Sequence, residues 1–573
     1  MNGGFPDRRG FSWKGKTLLS GIDPARRAER VAESVPVADR TLYVCPSPLY
    51  GYGLDRLLAR IASFSRSALL CIEAEPELFE LSQEHFGETL MHNPQLYLTN
   101  RREAGPLCAL LRQKWGPRFF RRVETIRLNG GWQLYPELYD YLAESLQWEI
   151  ALDWGNAMTI TKLGRRYIRN ALRNLGHVPH GKPLNQVDFG SDPVLVLGAG
   201  PSLDRLFDSL CRCNRAFRMP QERPFRIVCV DTCLTALQER GITPDLAVIL
   251  ESQHWNLDDF TGLSGWKIPA AMDLSALPQS AGILTGALHL FFTPWTALSI
   301  FGRLNAAGLL PPRMPPLGSV GLTAAAIARR LTRGNIVTAG LDFSYTLDSY
   351  HARSTPGHKG RLRRQNRFSG MLNAQAAFGR AVFRADSKAG ERVYSTPAMR
   401  NYRDVFEQEF GGEGGGRFFG IAGSGLPLGI RTLQPEAAVD LLYSAGIFKT
   451  AAESHEKETV NDENSPAGET AILAEELQRF ICDEWNRLIR LRDMLTGAAA
   501  IDGDVFVTLI DECDYLWAHF PDYAGTDRRP EKAALINRAD NATISFLKRL
   551  RVEIDPFLKL WKLIGENCMI TEL

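Results

Sequence analysis

The chain has no run of apolar residues near the roughly 18–20 that a membrane-spanning helix requires. Its opening, MNGGFPDRRGFSWKG, lacks the apolar core of a secretory signal, so the reading expects a soluble, cytoplasmic protein. An excess of one charge is missing too. Lys and Arg number 67 against 65 Asp and Glu, a net +2, so no global field directs the protein to nucleic acid. The ten cysteines form no CxxC pair, and several stand in apolar, strand-like runs. Buried free thiols are expected there rather than disulfides or a zinc site. The strong enzyme signatures are also absent: no GxxxxGK before Ser or Thr, no HExxH, no GxSxG. The acidic pairs Asp258-Asp259 and Asp502-Gly503-Asp504 stand in weak context, and neither is read as a metal motif.

What is present is ordinary globular material, 45 % hydrophobic and 23 % charged over 573 residues. At about 100–200 residues per domain, the length suggests about three domains. Residues 1–35 are polar, rich in Arg and Gly, and read as a flexible arm. Residues 36–180 read as an N-terminal Rossmann-like α/β domain: a strand at 41–45, a Gly/Pro loop, a helix, and the strand ALLCIEAEP ending in Glu73 and Glu75. A working version would hold a nucleoside or adenosylmethionine through Gly51, Gly53 and Glu73. Pro46 and Pro48 crowd that loop and remove amide donors, which favours a ligand-free fold.

Residues 185–440 form a second, clearer α/β pattern. VLVLGAG, RIVCVD, DLAVILES, ALHLFF and NIVTAGLD are runs of Val, Leu and Ile without polar alternation, the mark of parallel strands covered on both faces. Residues 447–470 are polar and poor in aliphatics, a linker. Residues 471–573 read as a C-terminal helical domain, with Trp485, Trp517, Phe546 and Trp561 as core. The fold class is therefore α/β: a Rossmann-like central domain with a mostly parallel sheet, an N-terminal α/β domain and a C-terminal helical domain.

The loop Gly198-Ala199-Gly200-Pro201-Ser202 lies between an apolar strand and a helix. Glycines allow a tight turn and close approach of a ligand, and a Ser202 cap with free helix amides favours an anion. Asp231, Glu251 and Asp342 close later strands, and the carboxyl ends of parallel strands share one crevice. A carboxylate there can accept from ribose hydroxyls or hold a divalent cation. Gly318-Ser319-Val320 opens another helix, a second anion cradle. Beyond Asp342 come Tyr345, Tyr350, His351, His358 and the basic run Arg361, Arg363, Arg364 and Arg367, which together look like a mobile lid. Histidine is the usual proton carrier near neutral pH.

The blocks VLVLGAGPSLD, IVCVDTCLTALQERGITPDLAVILES, GSVGLTAAAIARRL and NIVTAGLDFSY, followed by VYSTPAMRNYRDVFEQEF, stand in order over residues 185–435. They resemble the motility-accessory-factor (Maf) family of flagellin glycosyltransferases. The central block also resembles bacterial sialyltransferases that use a CMP-sugar, and a related domain occurs in a pterin diphosphokinase. The resemblance implies that Gly198, Gly200, Pro201 and Ser202 hold the nucleotide phosphate. It implies Asp231 and Glu251 near the sugar or ribose, and Ser319 near the nucleotide. Tyr350 matches a tyrosine that steadies the phosphate. Ser344 stands where a second is expected, with Tyr345 adjacent, and Glu251 stands where the motility family usually has Asp. The sialyltransferase histidine has no unambiguous counterpart, which leaves His351, His358 and Asp231 as catalytic candidates.

The expected activity is transfer of a nonulosonic (sialic-like, such as pseudaminic or legionaminic) acid from a CMP donor to Ser or Thr of flagellin. CMP leaves with one phosphate, and neither metal nor cofactor is expected. The rival readings are an ATP- and Mg²⁺-dependent pterin kinase and a non-enzymatic flagellin-binding accessory protein.

Overall fold

The computed structural model describes residues 10–116, 118–213, 215–368, 370, 379, 381–412, 416–444, 467–498, 502–524, 529–538 and 540–568. The chain forms two compact units. One comprises residues 1–162 and 520–526; the other comprises 163–519 and 527–573. The expected linker at 447–470 lies outside the described residues except for its last four, which open a helix.

In the first unit, β1 (Phe11–Trp13) and β2 (Lys16–Leu19) pair antiparallel, and a helix covers Pro24–Ser34. The described part of the expected arm is therefore ordered. Composition hid the reason: Leu18 and Leu19 are buried, and Asp23 caps the helix by accepting from Arg26 N–H at 3.1 Å. Four parallel strands follow, β3 (Thr41–Pro46), β4 (Ala68–Ile72), β5 (Leu96–Thr99) and β6 (Arg122–Thr125), in the order β5-β4-β3-β6. The loop after β3 is filled by the protein. Ser47 Oγ donates to Glu73 Oε2 at 2.7 Å, and the Phe86 ring lies against Gly51. Burial pushes the Glu73 carboxyl up to about 7.

The second unit is built on one nine-stranded sheet. Its strands are β7 (Lys182–Pro183), β8 (Val194–Leu197), β9 (Arg226–Val230), β10 (Leu246–Ile249), β11 (Ala270–Asp273), β12 (Leu288–Phe291), β13 (Ile336–Ala339), β16 (Phe418–Ile421) and β17 (Arg431–Leu433). Between β13 and β16 the chain makes an antiparallel hairpin, β14 (Phe383–Asp386) and β15 (Arg392–Ser395). The sheet order is β17-β16-β13-β8-β9-β10-β11-β12-β7, and every pair is parallel. The residues of β8, β10 and β13 are all buried, as two-sided strands require. From β8 the chain winds outward through β12, then returns to lay β13 on the other side of β8. The switch point thus lies between β8 and β13, where such folds open their ligand crevice.

Two expected boundaries differ from this division. The first falls at 162/163, inside the helix Pro136–Asn174, because the last turns of that helix belong to the second sheet. Asn170 Nδ2 donates to the carbonyls of Ser252 and Ser275, and Asn174 Nδ2 to those of Leu274 and Ala276. The C-terminal helices Ala467–Thr496, Gly503–Glu512 and Asn541–Asn567 also fall within the second unit. A buried ion-pair network holds them to the helix Ser299–Ala306 that follows β12. Trp517, Phe546 and Trp561 are core there, while Trp485 is half-buried. Asp502 serves as the cap of its helix, accepting from the amides of Asp504 and Val505. The ten cysteines are free, and six are buried. Among the described residues, no helix is long and apolar enough to cross a membrane.

Candidate functional site

The carboxyl ends of β8, β9, β10 and β13 gather Gly198–Ser202, Asp231, Glu251 and Asp342 at one edge of the sheet, as parallel strands dictate. Ser202 is the first residue of the helix Ser202–Arg212 rather than its cap, and its Oγ accepts from Gly340 N–H at 2.9 Å. Three amides of the loop already have partners. Gly198 N–H donates to Ala339 O at 2.8 Å, Gly200 N–H to Gly340 O at 2.8 Å and Ser202 N–H to Asp342 Oδ2 at 2.7 Å. At this helix start the Ser202 amide therefore meets the buried Asp342 side chain. The sequence did not show this, because the two groups are 140 positions apart.

The second cradle is the open one. Ser319, half-buried and extended, precedes the helix Val320–Leu331, most of which is buried. Its side chain makes no cap bond. The first three helix amides, Val320, Gly321 and Leu322, point out of the helix start with no hydrogen bond recorded to the described protein. The Tyr402 ring lies against Gly318. Glu251, exposed at the end of β10, acts with its charge on the phenols of both Tyr402 and Tyr167, whose pKa values burial already raises. Tyr167 reaches this rim because Asn170 and Asn174, on the same helix, fix it to the strand ends.

Asp231 is 2 % exposed. Its Oδ1 accepts from Thr232 N–H at 2.9 Å, while Thr232 Oγ1 donates to Asp259 Oδ2 at 3.2 Å. Burial first, then the charge of Asp259, pushes Asp231 up to about 7. Burial also pushes Asp259 up to about 6, helped by Asp258 and Glu251. Cys233 Sγ donates to Gly198 O at 2.8 Å and ties this carboxyl pair to the glycine loop. Both folded pKa values are raised, so the folded protein keeps protons that the unfolded chain releases between about pH 4 and 7. The pair's contribution to stability therefore falls as pH rises through that window, the reverse of a salt-bridged aspartate. Denaturation midpoints taken from about pH 5 to 8 should fall less in Asp231→Asn than in the wild-type chain.

The expected lid is fastened. Ala352 N–H donates to Ala199 O at 2.9 Å, and Arg353 N–H donates to Asp204 Oδ2 at 3.0 Å. Thr235 Oγ1 donates to Ser354 O, and Lys359 pairs with Glu239. Thr355 caps the helix Pro356–Arg364, which carries Arg361, Arg363 and Arg364. His351 lies against Tyr350 and Gly357, and burial lowers its pKa, aided by the charges of Arg361 and His358. The imidazole is therefore neutral at neutral pH. His358 accepts from Ser354 N–H through Nδ1, and burial lowers its pKa, Asp204 opposing and Arg361 and Arg353 adding to the shift. Tyr345 is 1 % exposed and lies between Tyr350, tilted against it at 4.7 Å, and Tyr394, stacked on it at 6.2 Å. It backs Tyr350, which is half-buried and nearer solvent. Ser344, in the position expected for a second tyrosine, instead donates to Ser424 O at 2.7 Å.

Sequence reasoning missed Asp259, Asn256, Tyr167, Tyr402 and Lys388. Lys388 sits in the turn between β14 and β15, half-buried; burial lowers its pKa and the Asp342 charge opposes this. Two lay within quoted stretches, Tyr402 in VYSTPAMRNYRDVFEQEF and Asp259 in Asp258-Asp259 after the end of β10, and no motif marks the other three. Among the described residues, no group of three or more His, Cys, Asp or Glu is placed to hold a metal ion.

Comparison with known proteins agrees with this architecture. Residues 168–348 match the family model described as 6-hydroxymethylpterin diphosphokinase MptE-like. An uncharacterized protein of Treponema pallidum (strain Nichols) is 28 % identical over 551 residues, which span 93 % of this chain and 90 % of that one. The structure of the MAf glycosyltransferase from Magnetospirillum magneticum AMB-1 is similar with a TM-score of 0.52 at 13 % identity, covering 98 % of this chain and 91 % of that chain. The resemblance drawn from the ordered sequence blocks is therefore borne out: the chain shares its α/β fold with a Maf glycosyltransferase over nearly its whole length and carries an MptE-like segment at its centre.

Proposed function

We propose that the protein is a glycosyltransferase that moves a nonulosonic acid from a CMP donor to a serine or threonine hydroxyl of flagellin, in the cytoplasm. The observation that carries the reading is the unpartnered helix start at Val320, on the same sheet edge as Asp231 and Glu251. Amides and helix dipole suit the single phosphate of CMP, and the carboxylates suit ribose or sugar hydroxyls. Tyr350 is assigned to the charge that develops on the phosphate as CMP departs. His351 and Asp231 are proton carriers at the rim, while His358 is held by Ser354.

A thermal-shift titration with CMP, CDP, UDP, GDP and ATP-Mg²⁺ tests this, using the wild-type chain and Val320→Pro. Proline is tolerated at a first helical position, and the extended Ser319 accommodates a following proline. The substitution removes one amide donor. CMP alone is expected to protect the wild-type chain, and Val320→Pro to weaken CMP by about tenfold, the worth of one hydrogen bond to a charged group. Protection by ATP-Mg²⁺ alone would shift the assignment to phosphoryl transfer, and none at all to an accessory role. Unchanged CMP affinity in Val320→Pro would place the phosphate elsewhere.

A further inference from the structure

The last turns of the helix Pro136–Asn174 carry charge of one sign. The sequence has no Asp or Glu from Trp154 to Val187, and within that stretch Arg165, Arg166, Arg169 and Arg173 stand on the helix. At 3.6 residues per turn, these four fall within an arc of about 100°. Ile168, Ala171 and Leu172 are buried on the other side. Asn170 and Asn174 clamp the same turns to the strand-end loops, which fixes the direction in which the arginines point. Arg166 is exposed, and the other three are half-buried.

The protein leaves this face largely uncompensated. Arg165 pairs with Glu553, on the helix Asn541–Asn567, at 2.9 Å. The charges acting on Arg169 are Arg173 and Arg165, of its own sign, and the same Glu553. His519, which burial and then Arg165 lower to about 4, is neutral. Among the described residues none pairs with Arg166, Arg169 or Arg173, and Arg173 Nε is shut off from solvent with no acceptor. Four guanidinium groups therefore share one carboxylate. Like charges four residues apart weaken a helix, so the row does nothing for the fold. From Arg165 to Arg173 the helix rises about 12 Å, more than one phosphate or carboxylate spans. Its step of about 6 Å matches acidic side chains four apart on a helix or two apart on a strand. Guanidinium groups bind carboxylates through paired hydrogen bonds. The place is also informative, because Tyr167, the neighbour of Arg166, reaches the rim that holds Glu251 and Tyr402.

We propose that this arginine face docks an acidic segment of the polypeptide acceptor and holds it beside the rim where transfer takes place. The identity of the partner rests on the glycosyl-transfer reading. Its acidic chemistry rests on the uncompensated row alone. Arg166, Arg169 and Arg173 take the carboxylates, and Arg165, already paired, marks the end of the surface at Glu553.

One arm of the test needs no transfer. Binding of a labelled polyglutamate peptide to the full chain is followed by fluorescence anisotropy, beside a single-stranded oligonucleotide of equal charge. The wild-type chain should bind the peptide at low salt. The double variant Arg166→Glu, Arg173→Glu should bind it roughly tenfold or more weakly. The difference should shrink as added salt shortens the screening length to about 8 Å near 0.15 M. Arg166→Gln with Arg173→Gln, a gentler change, should lose less in the same direction. Glu553→Gln should tighten peptide binding, which a purely structural role of the arginines would not produce. In the second arm, the charge-reversed chain should show a raised KM for flagellin, with kcat and CMP protection unchanged. Equal peptide binding by the wild-type and charge-reversed chains would overturn the proposal. So would tighter binding of the oligonucleotide than of the peptide, or a fall in kcat at unchanged KM. A wild-type chain that binds the peptide through these arginines but neither binds CMP nor transfers would sink the donor reading and leave the acidic docking face standing.

Discussion

Gly340→Ala is expected to destabilise the second unit by about 3 kcal/mol or more, read as a lower denaturation midpoint. Gly340 has φ +73°, in the left-handed region, and a methyl group on it would run into Gly198 O. Holding a non-glycine residue there costs about 1–3 kcal/mol, and overpacking a filled contact adds a similar amount. Relief would require parting the β8 and β13 loops, which would break Gly200 N–H to Gly340 O and Ser202 N–H to Asp342. The contrast is Gly302→Ala, in the exposed face of the helix Ser299–Ala306, where an added methyl meets nothing. That change should be neutral or stabilise by up to about 1 kcal/mol. Equal effects at both positions would remove the case for close main-chain packing at the switch point.

Glu484→Ala should cost about 3–5 kcal/mol in the same measurement, the usual consequence of removing one partner from a buried ion pair. Glu484 is fully buried and accepts from Arg303 at 2.7 and 3.1 Å, from Arg487 at 2.7 Å and from Tyr515 Oη at 3.4 Å. Truncation would leave two guanidinium groups with one carboxylate, Glu512, which is itself partly exposed. Glu484→Gln keeps the shape and should cost less, about 1–3 kcal/mol. If Glu484→Ala and Glu484→Gln were equally mild, the network would contribute little to holding the C-terminal helices on the central sheet.

How far the sequence could be read depended on the range of the interaction. Val194–Leu197 and Ile336–Ala339 are apolar runs that report two-sided burial on their own, so the parallel sheet was legible. The loop after β8 was legible as a turn, but the bonds of Gly200 and Ser202 to Gly340 O and Asp342, 140 positions onward, were not. β11 was missed because Ala270–Asp273 lacks the branched residues that mark a strand. The arm was misjudged because Leu18 and Leu19, a short apolar pair in a polar stretch, are buried by tertiary contacts. Asp259 shows the same limit, because Asp258-Asp259 becomes informative only once Thr232 is known to lie beside it.

The placement of β8 also sets an order of assembly during translation. β8 gains β9, β10, β11 and β12 on one side as the chain lengthens, but its other neighbour is encoded about 140 residues later. At about 5–20 residues per second, synthesis of that stretch takes on the order of ten seconds. Until Ala339–Asp342 leaves the ribosome, the amides of Gly198, Gly200 and Ser202 have only water for partners. A nascent chain halted before β13 would thus present a half-sheet with one naked edge, the state in which a chaperone would meet it. The loop after β8 is closed when β13 arrives, ahead of β16 and β17, so its closure reports that the two sides of the switch point have met.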